Sequence, residues 1–120
     1  MEIDISEVKR WISDHPESVR NSKDVGLHFN VEVETLRKKF LRSDGTTLAH
    51  FIRVNRISTA ASLLRTTDLR WYEIVDRLSF GRPENASRTF RRELGVKVRE
   101  YRNWFGGSPI VSLQARRGNH

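Results

Sequence analysis

Apolar residues recur every three or four positions along most of the chain, which is the spacing of one face of an α-helix. The strict alternation of apolar and polar residues that is typical of a half-buried strand is found nowhere. The pattern therefore predicts an all-α fold of seven helices. They run from 5 to the stop at His15-Pro16, from about 22 to 29, from about 33 to 41, from 47 to 66, from 71 to 78, from 83 to 94 and from 98 to 105.

Residues with known preferences for helix ends bound several of these segments. Asp4 or Ser6 is suited to cap the first helix, and Asn21 or Ser22 the second, because their side chains accept hydrogen bonds from free backbone N–H groups. Pro83 is suited to the first position of the sixth helix, where its missing N–H costs nothing. These residues place the helix starts independently of the apolar spacing.

Two parts of the chain, fifty residues apart, repeat one another. The repeated residues are Phe40, Gly45 and Phe51 in the first part and Phe90, Gly95 and Tyr101 in the second. Phe40 and Phe90 each lie on a short basic helix that follows another short helix and a tight connection. The connection before the helix of Phe40 contains Asn30, a residue that tolerates positive φ. The repeat predicts one subdomain at about 5–45, a linker helix at about 47–66, a second subdomain at about 70–105 and a flexible tail at 106–120.

The linker helix is expected to have one continuous apolar face. Its members are Leu48, Phe51, Val54, Ile57, Ala60, Ala61 and Leu64. Arg56 lies in the middle of this helix, and we expect it to pack its side chain and pair with a carboxylate rather than contact a ligand.

The charge distribution points to a polyanionic partner for the later part of the chain. The 120 residues carry a net charge of +7, from 22 basic and 15 acidic residues, although residues 1 to 34 alone sum to −4. There is no Cys, so the sequence excludes disulfides and thiolate metal sites. No apolar run approaches the roughly 18 residues of a membrane span, and no signal peptide is recognisable, so we expect a cytoplasmic protein.

Two basic second helices, each behind another helix, fit the helix-turn-helix arrangement, in which the second helix reads the major groove. If Leu36 and Phe40 point inward, as does the pair Ala86 and Phe90, helical phase places eight polar residues on the outer faces. These candidate base-reading residues are Glu34, Thr35, Arg37 and Lys38, then Glu84, Asn85, Ser87 and Arg88. Arg suits guanine, Asn suits adenine and Glu suits cytosine. Candidate phosphate contacts near the ends of the same helices are Lys39, Arg42, Arg91 and Arg92.

Other functions fit less of the sequence. The polar residues on one surface helix are ordinarily only solvated, and the alternative function is an all-helical protein-interaction module whose basic face binds an acidic partner. The four His residues lack metal-ligand spacing, and there is no nucleophile motif or Gly-rich phosphate loop, so we expect no metal, no cofactor and no enzyme activity.

The chain resembles the AraC/XylS family of bacterial transcription regulators over residues 5 to 105. The resemblance rests on three motifs: Val25-Gly26 through Leu36-Arg37-Lys38-Lys39-Phe40 and Gly45; Arg56-Ile57 with Ala60 and Leu63-Leu64; and Glu73-Ile74-Val75 with Phe80, Ser87-Arg88-Thr89-Phe90-Arg91-Arg92, Gly95 and Tyr101-Arg102. The chain departs from the family pattern at the two bracing helices and their turns. Gly26 and Val75 replace the usual Ala, and Asn30 and Ser79 replace the turn Gly.

The resemblance implies seven helices in two helix-turn-helix subdomains that read two adjacent major-groove segments of double-stranded DNA. It implies the same eight base-reading residues that helical phase indicates. It also implies RNA polymerase as a protein partner and a separate sensing or dimerising domain, commonly ahead of this region. The chain is then either a stand-alone monomeric regulator or an excised C-terminal piece, and we favour the excised piece.

Overall fold

The computed structural model of the chain describes residues 2–106, which form seven α-helices and no strand. The helices are α1 (Ile5–Asp14), α2 (Ser22–Phe29), α3 (Val33–Asp44), α4 (Leu48–Thr66), α5 (Trp71–Arg77), α6 (Pro83–Leu94) and α7 (Val98–Phe105). The all-α fold predicted from the apolar spacing is confirmed. Of the expected tail, residues 107–120 lie outside the described part.

Side chains that accept backbone N–H groups start the first two helices, as predicted. Asp4 Oδ1 accepts the N–H of Ser6 at 2.9 Å, and Asn21 Oδ1 accepts the N–H of Asp24 at 3.1 Å. Helix α3 is three residues longer than the sequence predicted, because it ends only where Gly45 adopts φ of +88° and donates its N–H to Leu41 O at 2.9 Å.

The chain folds as two compact units that meet between Arg56 and Ile57 in sequence, and each unit has its own hydrophobic core. Fully buried residues of the first core are Val8, Ile12, Val19, Val25, Leu36, Phe40, Leu48 and Ile52. Buried residues of the second core are Ile57, Ala60, Ala61, Leu64, Ile74, Leu78, Phe90 and Tyr101. With no Cys in the chain, no disulfide supports either core.

Helix α4 contributes to both cores, and the prediction of one continuous apolar face for it is wrong. Leu48 and Ile52 belong to the first core, and the second core takes its α4 residues from Ile57 onward. Val54 lies between the two sets and is 41% exposed. The sequence pattern merged two separate faces because both are apolar and follow each other without a break.

Arg56 is buried in the first unit, where it stabilises a loop. Its Nη1 donates to the backbone oxygen of Val19 at 2.8 Å and to that of Pro16 at 3.4 Å. Burial lowers the pKa of the Arg56 guanidinium, and the nearby charge of Arg20 lowers it further. The expected packing of this side chain is confirmed, and the hydrogen bonds described here go to carbonyl oxygens.

Arg102 has a comparable structural role in the second unit. Its guanidinium donates to the carbonyl oxygens of Leu64 at 3.3 Å and Thr67 at 2.9 Å, and also to that of Leu69. These bonds fix α7 against the chain that leaves the end of α4, so that α6 packs on a defined surface.

Candidate nucleic-acid interface

The turns before α3 and α6 share one backbone hydrogen bond and one left-handed residue. In the first, Val31 N donates to Gly26 O at 3.0 Å, and Asn30 has φ of +55°. In the second, Phe80 N donates to Val75 O at 2.9 Å, and Ser79 also has φ of +55°. The conformation that a Gly usually provides is therefore present in both turns, although neither residue is Gly.

The two turns differ in length and in the space beside them. Helix α3 begins three residues after Asn30, and α6 begins four residues after Ser79. An ideal Cβ on Gly26 would lie only 2.9 Å from Val31 O, so the shorter first turn closes where the preceding helix has no side chain. Val75 has the corresponding place in the second unit and is buried.

Glu32 precedes helix α3 and caps it, because its carboxylate accepts hydrogen bonds from three donors. Glu32 Oε2 accepts the N–H of Glu34, and Oε1 accepts both the N–H and the hydroxyl of Thr35, each at 3.0 Å. The two backbone hydrogen bonds, first that from Glu34, lower the pKa of the Glu32 carboxyl. The sequence did not indicate this role, because Glu is not among the preferred capping residues.

Helix α6 begins differently, with Pro83 at its first position. The carbonyl oxygen of Pro83 accepts two side-chain donors: Ser87 Oγ at 2.8 Å and Trp71 Nε1 at 3.1 Å. The second bond fixes the start of α6 to α5. Both helices thus have a fixed start, although each is fixed by different chemistry.

The inward faces of α3 and α6 each make an aromatic contact at the corresponding position, tilted at 55° in the first unit and edge-on at 78° in the second. The rings of Phe40 and Phe51 lie 5.5 Å apart between centroids, and those of Phe90 and Tyr101 lie the same distance apart. Leu36 and Ala86, one turn earlier, are buried as the helical phase predicted. This shared framework fixes which sides of α3 and α6 face outward.

The outward faces carry the predicted base-reading residues. Seven of the eight are exposed: Glu34, Thr35, Arg37, Lys38, Glu84, Asn85 and Arg88. Ser87 is half-buried, and its hydroxyl proton goes to Pro83. Thr35 likewise donates its hydroxyl proton within the protein, to Glu32, so these two side chains retain only acceptor capacity and apolar surface.

Each helix carries one hydrogen-bonded pair of candidates spaced three residues apart. Arg37 Nη1 donates to Glu34 Oε1 in α3, and Arg88 Nη2 donates to Asn85 Oδ1 in α6. Such exposed pairs contribute only about a few tenths of a kcal/mol, so exchanging them for contacts to a ligand costs little. Each pair uses only one guanidinium nitrogen of its Arg.

The candidate phosphate contacts are arranged less uniformly. Arg42 and Arg91 are exposed in the last turns of α3 and α6. Lys39 is half-buried, with Nζ 4.0 Å from Glu2 Oε1, and Arg92 Nε lies 3.8 Å from Glu93 Oε2. All four lie on or beside the outer faces of the two helices.

Residues 2–106 contain neither a metal-binding cluster nor a membrane-spanning helix. No three His, Asp or Glu side chains there come together in a way that could hold a metal ion. No helix in the same range is long and apolar enough to cross a membrane. The fold and its two outward polar faces define the chain as a protein with two helix-turn-helix units.

Comparison with known proteins shows which family this is. The helix-turn-helix domain family matches residues 27–104. The chain is 34% identical over 85 residues, 70% of its length, to the transcriptional activator RhaR of Yersinia pseudotuberculosis. It is 26% identical over 110 residues, 92% of its length, to the uncharacterized HTH-type transcriptional regulator YfiF of Bacillus subtilis. The chain belongs to the AraC/XylS-type helix-turn-helix family, whose members are DNA-binding transcription regulators and not enzymes.

Solved structures share the fold. The C-terminal domain of AraT, a response regulator from Geobacillus stearothermophilus, superposes with a TM-score of 0.77 at 24% identity, with 88% of each chain covered. The DNA-binding domain of the transcriptional factor AdpA, solved in complex with a target DNA, has a TM-score of 0.76 at 23% identity, over 99% of this chain and 100% of that one. By contrast, the chain spans only 35% of YfiF and 29% of RhaR.

Proposed function

We propose that this chain binds specific sequences of double-stranded DNA as the DNA-binding part of a bacterial transcription regulator. The observation that carries the proposal is the duplicated geometry. Two turns with the same hydrogen bond and the same φ each precede a helix whose outward face is polar and whose inward face is fixed by an aromatic pair. A single polar helix is ordinary, whereas two built alike on one chain favour a shared ligand.

In this proposal α3 and α6 each enter a major groove, where base edges differ in their pattern of donors and acceptors. Arg37 and Arg88 donate to guanine, Asn85 bonds adenine, and Glu34 accepts from cytosine. Lys38 and Glu84 are the further charged readers. Thr35 and Ser87 contribute acceptor oxygens, and Thr35 also offers its methyl group to thymine, since their hydroxyl protons are already used within the protein.

Lys39, Arg42, Arg91 and Arg92 would position the two helices by binding phosphates. Such contacts add affinity for every duplex and make binding depend on salt. Arg42 and Arg91 are the better placed of the four, since both are exposed and neither makes a carboxylate pair among residues 2–106.

The regulatory step requires a second partner, and we propose RNA polymerase, in the cytoplasm. In this proposal the chain affects transcription by contacting the polymerase while bound to DNA. We further propose that a sensing or dimerising domain belongs to the complete regulator, because the chain spans about a third of the curated relatives it matches.

The test is selection of bound duplexes from a random pool, followed by competition of the selected duplex against random duplex at fixed salt. Specific regulators bind their sites about 10³-fold or more tighter than random DNA. We expect the selected duplex to win by at least that order. Equal affinity for both duplexes would overturn the proposal and would leave a basic protein-interaction module as the alternative.

A further inference from the structure

An open cleft of about 820 Å³ lies beside α6 in the second unit. One wall is the side of α6 that carries Arg88 and Arg91, and the other is the start of α7, with Lys97, Arg99 and Glu100. The cleft is continuous with the proposed reading face, because Arg88 belongs to both. It is therefore placed to bind a part of the same ligand.

The cleft is strongly cationic. The cations that line it are Arg88, Arg91, Lys97, Arg99 and Arg102, against the single carboxylate of Glu100. The Arg102 guanidinium is used by the fold, since it donates to backbone carbonyl oxygens. That carboxylate is partly used by the fold, since Glu100 Oε1 accepts the N–H of Lys97 at 3.1 Å. Within residues 2–106, Arg91, Lys97 and Arg99 have no carboxylate partner. These cations are available to an external anion.

The first unit shows that the fold does not need these charges. With Phe40 aligned to Phe90 and Gly45 to Gly95, the residues at the places of Arg91, Lys97 and Arg99 are Leu41, Thr47 and Ala49. The first unit, which lacks these cations, still forms the aromatic contact at the corresponding position, with the same 5.5 Å between centroids. The charges are therefore a property of the second unit's surface rather than of its packing.

We propose that this cleft binds a phosphodiester of the duplex that α6 reads, through Arg91, Lys97 and Arg99. Lys97 and Arg99 are then DNA contacts additional to those indicated by the sequence of the two reading helices. The inference rests on the proposed function, because it takes the ligand of α6 to be DNA. It goes further because the second unit then makes more phosphate contacts than the first. Binding by the first unit would depend more on contacts to the DNA base edges.

The test uses the 120-residue chain and measures affinity for a selected and a random duplex between 50 and 200 mM salt. Each lost phosphate contact lowers the slope of log K against log salt by about 0.9. We expect the double variant K97A/R99A to bind both duplexes more weakly. We also expect the fall in its affinity over this salt range to be smaller by on the order of tenfold. Arg10→Ala, which removes an exposed cation from α1, is the control and should leave the slope unchanged.

Glu100→Gln separates the proposal from a folding defect. Its amide oxygen still accepts the Lys97 N–H, but the only carboxylate of the cleft is lost, so affinity for both duplexes should rise. A misfolded variant would not bind more tightly. Unchanged slopes in K97A/R99A would overturn the inference and would point to an acidic protein or solvent as what the cleft faces. Equal affinity of the natural chain for both duplexes, with the slope still changed in K97A/R99A, would overturn the proposed sequence specificity and leave the phosphate cleft intact.

Discussion

Asn30 and Ser79 hold the same left-handed backbone conformation, with φ of +55° at both. Their N–H groups donate to equivalent carbonyls, Leu27 O at 3.4 Å and Asp76 O at 3.1 Å. Left-handed backbone costs an ordinary L-residue about 1–2 kcal/mol, and Asn less, because its short side chain tolerates it. The two helix-turn-helix units therefore contain the same turn at different energetic cost.

Asn30→Ala is expected to lower the free energy of unfolding by about 1 kcal/mol, since Ala has no tolerance for this conformation. Ser79→Asn is expected to raise it by a few tenths of a kcal/mol or more, for the opposite reason. Urea denaturation followed by circular dichroism measures both. Asn103→Ala, on the exposed side of α7, is the control and should be neutral or slightly stabilising, because Ala is the better helix former. Equal stability of Asn30→Ala and the natural chain would show that the turn is not strained.

The sequence predicted the seven helices because each depends on local apolar spacing and end residues. Where it failed, the cause was a relation between distant residues. Val54 is exposed because α4 serves two cores, and this could not be read from a single stripe. The positive φ of Ser79 follows from the closure of the turn onto Val75, against the preference of Ser itself.

The candidate site, too, was predicted in part from the sequence and missed in part. Helical phase was enough to place Arg37 and Arg88 on outer faces, since Phe40 and Phe90 fix the opposite faces. It could not show that Ser87 bonds backward to its own helix. The cationic cleft was also hidden, because its walls come from two helices that meet only in the fold.

Arg56→Ala is expected to destabilise the chain by roughly 2–4 kcal/mol. The change leaves the carbonyls of Pro16 and Val19 without their donor and removes the buried side-chain stem. Chemical denaturation measures the loss, and Arg10→Ala, at an exposed position on α1, should change stability by less than about 0.5 kcal/mol. A loss for Arg56→Ala no larger than for Arg10→Ala would contradict the role of this buried arginine.

The cap of α3 is expected to make stability depend on pH. The pKa of Glu32 in the folded chain lies below its ordinary value of 4.5, so the folded state favours the carboxylate. This stabilisation is complete above the ordinary pKa and is lost as the pH falls through the lowered value. Glu32→Gln should therefore be less stable than the natural chain at pH 7, and the difference should shrink as the pH falls from 5 toward 3.

Urea denaturation of both chains at a series of pH values measures this difference. Above pH 6 the gap between them should be constant, which serves as the internal control. A gap that stays constant down to pH 3 would show that the carboxylate charge of Glu32 does not stabilise the start of α3.

Arg88 and Arg92 lie one turn apart on α6 and are expected to act differently on DNA. Arg88 lies on the proposed reading face beside Asn85, so Arg88→Ala should lose discrimination at particular base pairs by roughly 1–3 kcal/mol. Arg92 lies in the last turn, so Arg92→Ala should weaken all duplexes alike and lower the salt slope by about 1. Binding of the two variants to a selected duplex and to its single-base variants distinguishes these effects. If both variants bound every duplex as the natural chain does, α6 would not be a reading helix, and the specificity would have to come from α3 alone.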